Sequence, residues 1–202
     1  MSMPALDRYL TEVRVAIDRV CLDELRRVGD CLMELWRRGG VVYAVGNGGS
    51  AALASHLACD LGKNTAADLG RGARVRGGRR LRVVGLSDNG ALLTALANDL
   101  DFAEVYVEQL KPVLTDNDVV LAVSGSGTSD NVLRALRYAR TVGATTVAFT
   151  GARATSAPML DLADYALRAP AELMEQIEDF HVIFNHALAV SLRERIAESS
   201  GT

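Results

Sequence analysis

The chain lacks an excess of basic charge: 22 Lys and Arg against 25 Asp and Glu leave a net charge of -3. A nucleic-acid partner held by phosphate neutralisation is therefore not expected. No apolar run approaches the roughly 20 residues of a membrane span. The N-terminal stretch MSMPALDRYLTEVRVAIDRV alternates charged and apolar residues, without the unbroken apolar segment of a signal peptide. The expectation is a cytoplasmic protein with no membrane partner. Cysteine is sparse as well. Cys21, Cys31 and Cys59 are an odd number without CxxC spacing, which speaks for reduced thiols and against a disulfide framework. Each reads as a small core residue rather than a nucleophile. Nucleotide binding finds no support either, because neither the GK[ST] of a P-loop nor a GxGxxG register is present.

What is present suits one globular domain: 202 residues, 49% apolar and 23% charged. Residues 5 to 38 carry apolar positions at helical spacing, Leu6, Leu10, Val13, Ile17 and Val20, then Leu25, Val28, Leu32 and Leu35. One long helix or two consecutive ones are predicted there. Then VVYAVGNGGS, a β-branched run ending in glycines, leads into the helix-prone AALASHLACDL. The same grammar recurs in RVVGLS before ALLTALAND, in DVVLAVSGSGTS before NVLRALRYAR, and in TTVAFTG. YALRAP is read as a last short strand before a helix from about Glu172 to Ile196. Apolar strands alternating with helices indicate an α/β sandwich: a central parallel sheet of about five strands with helices on both faces, spanning about 40–196 behind the N-terminal helical segment. The Gly/Arg-rich residues 70 to 80 lack apolar periodicity and read as a surface loop.

Two loops have the chemistry to hold an anion. SGSGTS, Ser124 to Ser129, follows a strand and opens a helix. Helix N-termini offer unpaired N–H groups, glycines let backbone approach a ligand, and hydroxyls add donors. The plainer reading is a serine N-cap after a flexible turn. Four hydroxyls in these six residues favour a phosphate cradle. GNGGS, Gly46 to Ser50, holds the equivalent place after an earlier strand. Open α/β sheets bind ligands at the carboxyl ends of their strands, so the two loops could grip one sugar phosphate, the first by its carbonyl end and the second by its phosphate.

The three histidines, His56, His181 and His186, fall in two helical segments rich in acids. His56 and Asp60 are i,i+4 and share a helix face. The last helix offers Glu175, Glu178, Asp179, His181 and His186. Spacing does not choose between the two histidines as partner of Glu178, since they differ by about 140° around a helix.

The segments GNGGSAALASHLACDL, ALANDLDF, LAVSGSGTSDNVLRAL and QIEDFHVIFNHAL, in this order and over about residues 5 to 196, resemble the phosphoheptose isomerase branch of the SIS (sugar isomerase) family. The resemblance implies a single SIS domain over 1–202, assembled as a homotetramer. It also implies conversion of sedoheptulose 7-phosphate to a manno-heptose 7-phosphate through an enediol, with zinc in the pocket. The ligand set it implies is His56, Asp60, Glu178 and His186, which decides for His186 over His181. The catalytic pair would be Asp60 and His186. Sugar contacts would come from Asn47, Gly48, Gly49, Ser50, Asp99, Glu175 and Glu178, and phosphate contacts from Ser124, Gly125, Ser126, Thr128 and Ser129. Two positions depart from the family, whose usual residues there are Glu and Gln. Asp60 is one methylene shorter, and Glu178 adds a negative charge, so a divalent cation is favoured and the identity of the ketose is opened.

Overall fold

Every residue of the run Val41–Gly46, and every residue of Val119–Val123, is buried in the computed structural model, which describes residues 4–65 and 79–199. Such runs are stable only where both faces of a sheet are covered. They form β1 (Val41–Gly46) and β3 (Val119–Val123), joined by β2 (Arg82–Gly85), β4 (Thr145–Gly151) and β5 (Tyr165–Ala169) in one parallel sheet of order β2-β1-β3-β4-β5. The strand period sorts the side chains cleanly. Val42, Ala44, Val119, Leu121, Val147 and Phe149 face one core. Their neighbours Val41, Tyr43, Val45, Val120, Ala122 and Ala148 face the other.

The first core is covered by α2 (Leu22–Arg38), α3 (Gly49–Leu57) and the long α8 (Met174–Ser199). The second is covered by α5 (Val105–Leu110), α6 (Asp130–Val142) and the short α7 (Ala157–Leu160). The expected three-layer α/β architecture is what forms. Fully burying one large apolar side chain is worth about 1.5–3 kcal/mol, and Leu32, Leu121, Phe149, Phe180 and Phe184 anchor the first layer on that scale.

Several expectations need correction or refinement. The N-terminal segment is two helices, α1 (Ala5–Ile17) and α2, because the chain turns at Asp18–Cys21. In α1 only Ala16 is buried, while Leu6 and Leu10 are 81% and 68% exposed. The helix α4 (Gly90–Asp99) forms as predicted but buries no residue fully; Leu93, Leu96 and Ala97 pack, partly buried, against the second core. Cys21 and Cys59 are exposed, contrary to the core role expected of them. Only Cys31 behaves as a core residue, its thiol pushed up to about 11 by burial. The predicted loop at 70 to 80 lies mostly outside the described residues. No described helix is long and apolar enough to cross a membrane.

The strand order sets the place of the site. From β1 the chain moves out to β2 on one side, then crosses to β3 on the other. The carboxyl ends of β1 and β3 therefore diverge at a topological switch point, where open α/β sheets bind their ligands. Both glycine-serine loops leave the sheet there.

Candidate active site

The loop Ser124–Ser129 runs from β3 into α6, and its hydroxyls converge. Ser124 is buried, and its Oγ accepts the Gly127 N–H at 3.2 Å. The same Oγ stands 3.5 Å from Ser126 Oγ and 3.4 Å from Ser129 Oγ. Thr128 donates to Ser126 Oγ from its hydroxyl at 3.1 Å and from its N–H at 3.3 Å. Gly127 has φ +68°, and a Cβ there would stand 2.6 Å from Ser156 Cα, so no other residue fits this tight turn. Gly125 lies against Met174 at the start of α8. Ser129 is the N-cap of α6 but makes no capping hydrogen bond with its side chain. The plain capping role weighed from sequence is therefore not what its hydroxyl does.

The first loop is tied to the second. Asn47 and Asn131 exchange side-chain amide hydrogen bonds, both 2.8 Å, across the gap between β1 and β3. The Tyr106 hydroxyl donates to the Gly46 carbonyl and lies 3.3 Å from Asn47 Oδ1. Asn131 and Tyr106 were not singled out from sequence. A polar residue two positions past a serine loop was the available signal for Asn131, and nothing marked Tyr106. Gly48 has φ +55° with open space where a Cβ would point, so the turn leaves backbone exposed in front of α3.

Ser50 is buried and lines, with Gly49, Leu53, Glu178 and His181, a cavity of about 250 Å³ between α3 and α8. Glu178 leans over the first turn of α3: a Cβ on Gly49 would stand 2.7 Å from its Oε1. A carboxylate there meets the positive end of the helix dipole. Its neighbour Asp179 accepts a 2.6 Å hydrogen bond from the Tyr9 hydroxyl of α1. That bond, with burial and the charges of Asp179, Glu175 and Glu178, pushes Tyr9 up to about 12. The start of α8 is thus strongly anionic. Glu175 is exposed in the same first turn. Asp99 ends α4 at the surface, where it accepts from Asn98 at 2.8 Å. Among the described residues no hydrogen bond joins it to either loop.

Two turns along α3 a second constellation assembles. The helix passes into a π-helical stretch, Ala58–Lys63, that contains Asp60. Such turns occur often at functional sites. Asp60 Oδ2 is 3.0 Å from His56 Nε2 and 3.4 Å from His186 Nε2, and the two imidazole nitrogens are 3.5 Å apart. These three atoms could hold a metal ion. Donors at about 2.0–2.1 Å from a tetrahedral centre lie roughly 3.3 Å from one another, so the spacing fits zinc-type coordination by two imidazoles and a carboxylate. Glu178, the fourth residue of the implied ligand set, is not in this group. Asn185 donates to Asp60 Oδ2 at 2.9 Å and Asn64 to Oδ1 at 3.1 Å, two contacts that spacing did not reveal.

His181 is a separate case. It is 1% exposed, its ring centroid 6.1 Å from that of Phe149 and 6.4 Å from that of Phe184, and among the described residues neither ring nitrogen has a well-formed hydrogen-bond partner. Burial pushes the imidazole down to about 4, against a weaker opposing pull from the nearby Thr150 backbone. The unfolded chain then binds a proton that the folded one does not over the range from about 6.5 down to about 4. Stability should fall through that window as pH drops, by up to roughly 3 kcal/mol. In thermal unfolding across this range, His181→Leu should lose less stability on acidification than the unsubstituted protein. Parallel curves would contradict this role.

Comparison with known proteins decides the family. The SIS domain model matches residues 8–151. This chain belongs to the SIS-domain family. Among SIS-domain proteins it groups with phosphoheptose isomerases, and it is an isomerase. The phosphoheptose isomerase of Mycobacterium tuberculosis is 35% identical over 184 residues, 91% of this chain and 88% of that protein. That of Aquifex aeolicus is 31% identical over 193 residues, 96% and 95% of the two chains. The structure of phosphoheptose isomerase from Neisseria gonorrhoeae superposes with a TM-score of 0.80 at 24% identity, covering 93% of this chain and 96% of that one, which shows the shared SIS fold.

Proposed function

We propose that the protein converts sedoheptulose 7-phosphate to D-glycero-D-manno-heptose 7-phosphate by metal-assisted enediol chemistry. The observation that carries this reading is the convergence of His56, Asp60 and His186. A phosphate loop alone would serve a sugar-phosphate sensor equally well, whereas such a sensor has no need of two imidazoles and a carboxylate set at ligand spacing. The relatives are phosphoheptose isomerases, which supports a phosphorylated heptose as the substrate.

Ser124, Ser126, Thr128 and Ser129 would hold the phosphate, with the α6 dipole behind them. Asn47, Ser50, Glu178, Glu175 and Asp99 are the proposed contacts to the sugar chain. Isomerisation requires removal of a proton from the carbon next to the carbonyl and its return on the neighbouring carbon. Asp60 and His186 are the groups proposed for the two transfers, each through an atom that is not holding the cation at that step. A divalent cation, zinc by the chemistry of the donors, would polarise the substrate oxygens and stabilise the enediolate charge. NMR of a panel of ketose phosphates tests the substrate. Sedoheptulose 7-phosphate should give aldose product fastest, and faster turnover of a hexulose or amino-sugar phosphate would move the assignment to that sugar.

A homotetramer is part of the same proposal. The exposed Leu6, Leu10, Val15, Ile17 and Leu22 at the N-terminus form apolar surface that a second copy would cover, which supports it. Light scattering at micromolar concentration should give a tetramer mass, and a clean monomer would count against it.

A further inference from the structure

We infer that Asn185 is a positioning residue that holds the short Asp60 carboxylate at the metal-binding group, an inference that rests on the metal reading above. Asp60 lies at the junction of two elements. Its backbone belongs to the π-helical stretch Ala58–Lys63, and its carboxylate faces His56 from its own segment and His186 from α8. The side chain of an aspartate is short, and nothing in its own rotamer fixes which oxygen points at the imidazoles. The structure fixes it from both sides. Asn64, one turn on, donates to Oδ1 at 3.1 Å, and Asn185 donates to Oδ2 at 2.9 Å. Oδ2 is also the oxygen within 3.0 and 3.4 Å of the two histidine nitrogens.

The contact with Asn185 comes at a cost the fold tolerates. Asn185 is fully buried, and among the described residues its Oδ1 has no hydrogen-bond partner. A buried, unsatisfied amide oxygen destabilises a helix that an apolar residue would suit better. Within VIFNHAL the neighbours Phe184 and Leu188 are core residues, so a leucine at 185 is the residue that packing alone would select. The amide is explained by what its Nδ2 does at Asp60. Hydrogen bonds of this kind orient ligating carboxylates, and their removal lowers metal affinity by about 10–100-fold.

Asn185→Leu separates this role from a structural one, because the two predict opposite signs. Metal-free Asn185→Leu should unfold at the same temperature as the parent or higher, since an orphaned polar atom is removed. Its affinity for zinc, measured by competition with a chromophoric chelator, should fall by about 10–100-fold. The visible spectrum of the cobalt(II)-loaded protein should shift as the carboxylate reorients. Adding Asp60→Glu to the same variant should restore much of the affinity, because the longer arm reaches the group unaided. Unchanged zinc affinity and cobalt spectrum in Asn185→Leu would overturn the inference, as would a parallel loss of metal-free stability and affinity. Failure of the parent protein itself to bind zinc or cobalt would overturn the metal reading, and this inference with it.

Discussion

His56→Ala and His186→Ala should each abolish metal binding and lower kcat by roughly 10²–10⁴-fold, the range that corresponds to several kcal/mol of Lewis-acid stabilisation. Each imidazole supplies one of the three donor atoms that lie within 4.8 Å of one another. With one removed, two donors remain, too few for a closed site. Both rings are partly solvent-exposed, so truncation should leave the core untouched. Elemental analysis and activity measured together check the prediction. His181→Leu is the matched control and should retain the metal, because that ring is buried against Phe149 and Phe184, away from the group. Chelation of the parent protein should lower its melting temperature, and added zinc should restore it. A ligand present at about 100 times its dissociation constant stabilises the folded state by about 2.7 kcal/mol. Full activity after exhaustive chelation would leave an isomerase that works by acid/base chemistry alone.

Removing two hydroxyls from the phosphate loop should have an effect of similar size on binding. Ser124→Ala with Ser126→Ala deletes the centre of the hydroxyl cluster, since Ser126 Oγ accepts twice from Thr128 and Ser124 Oγ lies within 3.5 Å of two neighbours. A hydrogen bond to a charged group is worth about 1.5–3 kcal/mol. Two such losses weaken sugar-phosphate binding by roughly 10²–10⁴-fold. In the double variant the Gly127 N–H loses its contact with Ser124 Oγ but keeps its bond to the Ser124 backbone carbonyl at 3.1 Å, so the turn should survive. Calorimetric titration should show the loss of affinity, while thermal unfolding remains a single transition close to that of the parent protein. Unchanged affinity would remove the loop from the site.

The fold was legible because valine runs such as VVYAV and DVVLAV have few alternatives to a doubly covered parallel strand. The two glycine-serine loops were legible for the same local reason: their residues suit a turn and an anion whatever the rest of the chain does. Contacts across elements were not. Asn185 and Asp60 are 125 residues apart, and an asparagine beside a histidine in an apolar helix carries no mark of its partner. The π-helical stretch was invisible as well, because ACDLGK simply continues the helical pattern of AALASHL. Cys21 and Cys59 misled because cysteine is buried on average, and average burial says nothing about which face of a helix a residue takes. Glu178 joined the implied ligand set through the family resemblance, not through spacing. Its place on α8 was clear from sequence, but its carboxylate leans to Gly49 and the first turn of α3 rather than to His56 and Asp60.

Turnover of sedoheptulose 7-phosphate in D₂O by the zinc-loaded protein, followed by NMR, is the measurement that bears most directly on the proposed activity. An enediol isomerase should form manno-heptose 7-phosphate carrying solvent deuterium on C2, where the returning proton is delivered. Tight binding of the ketose with neither aldose product nor deuterium exchange would contradict the account and leave a protein that senses the sugar phosphate without transforming it.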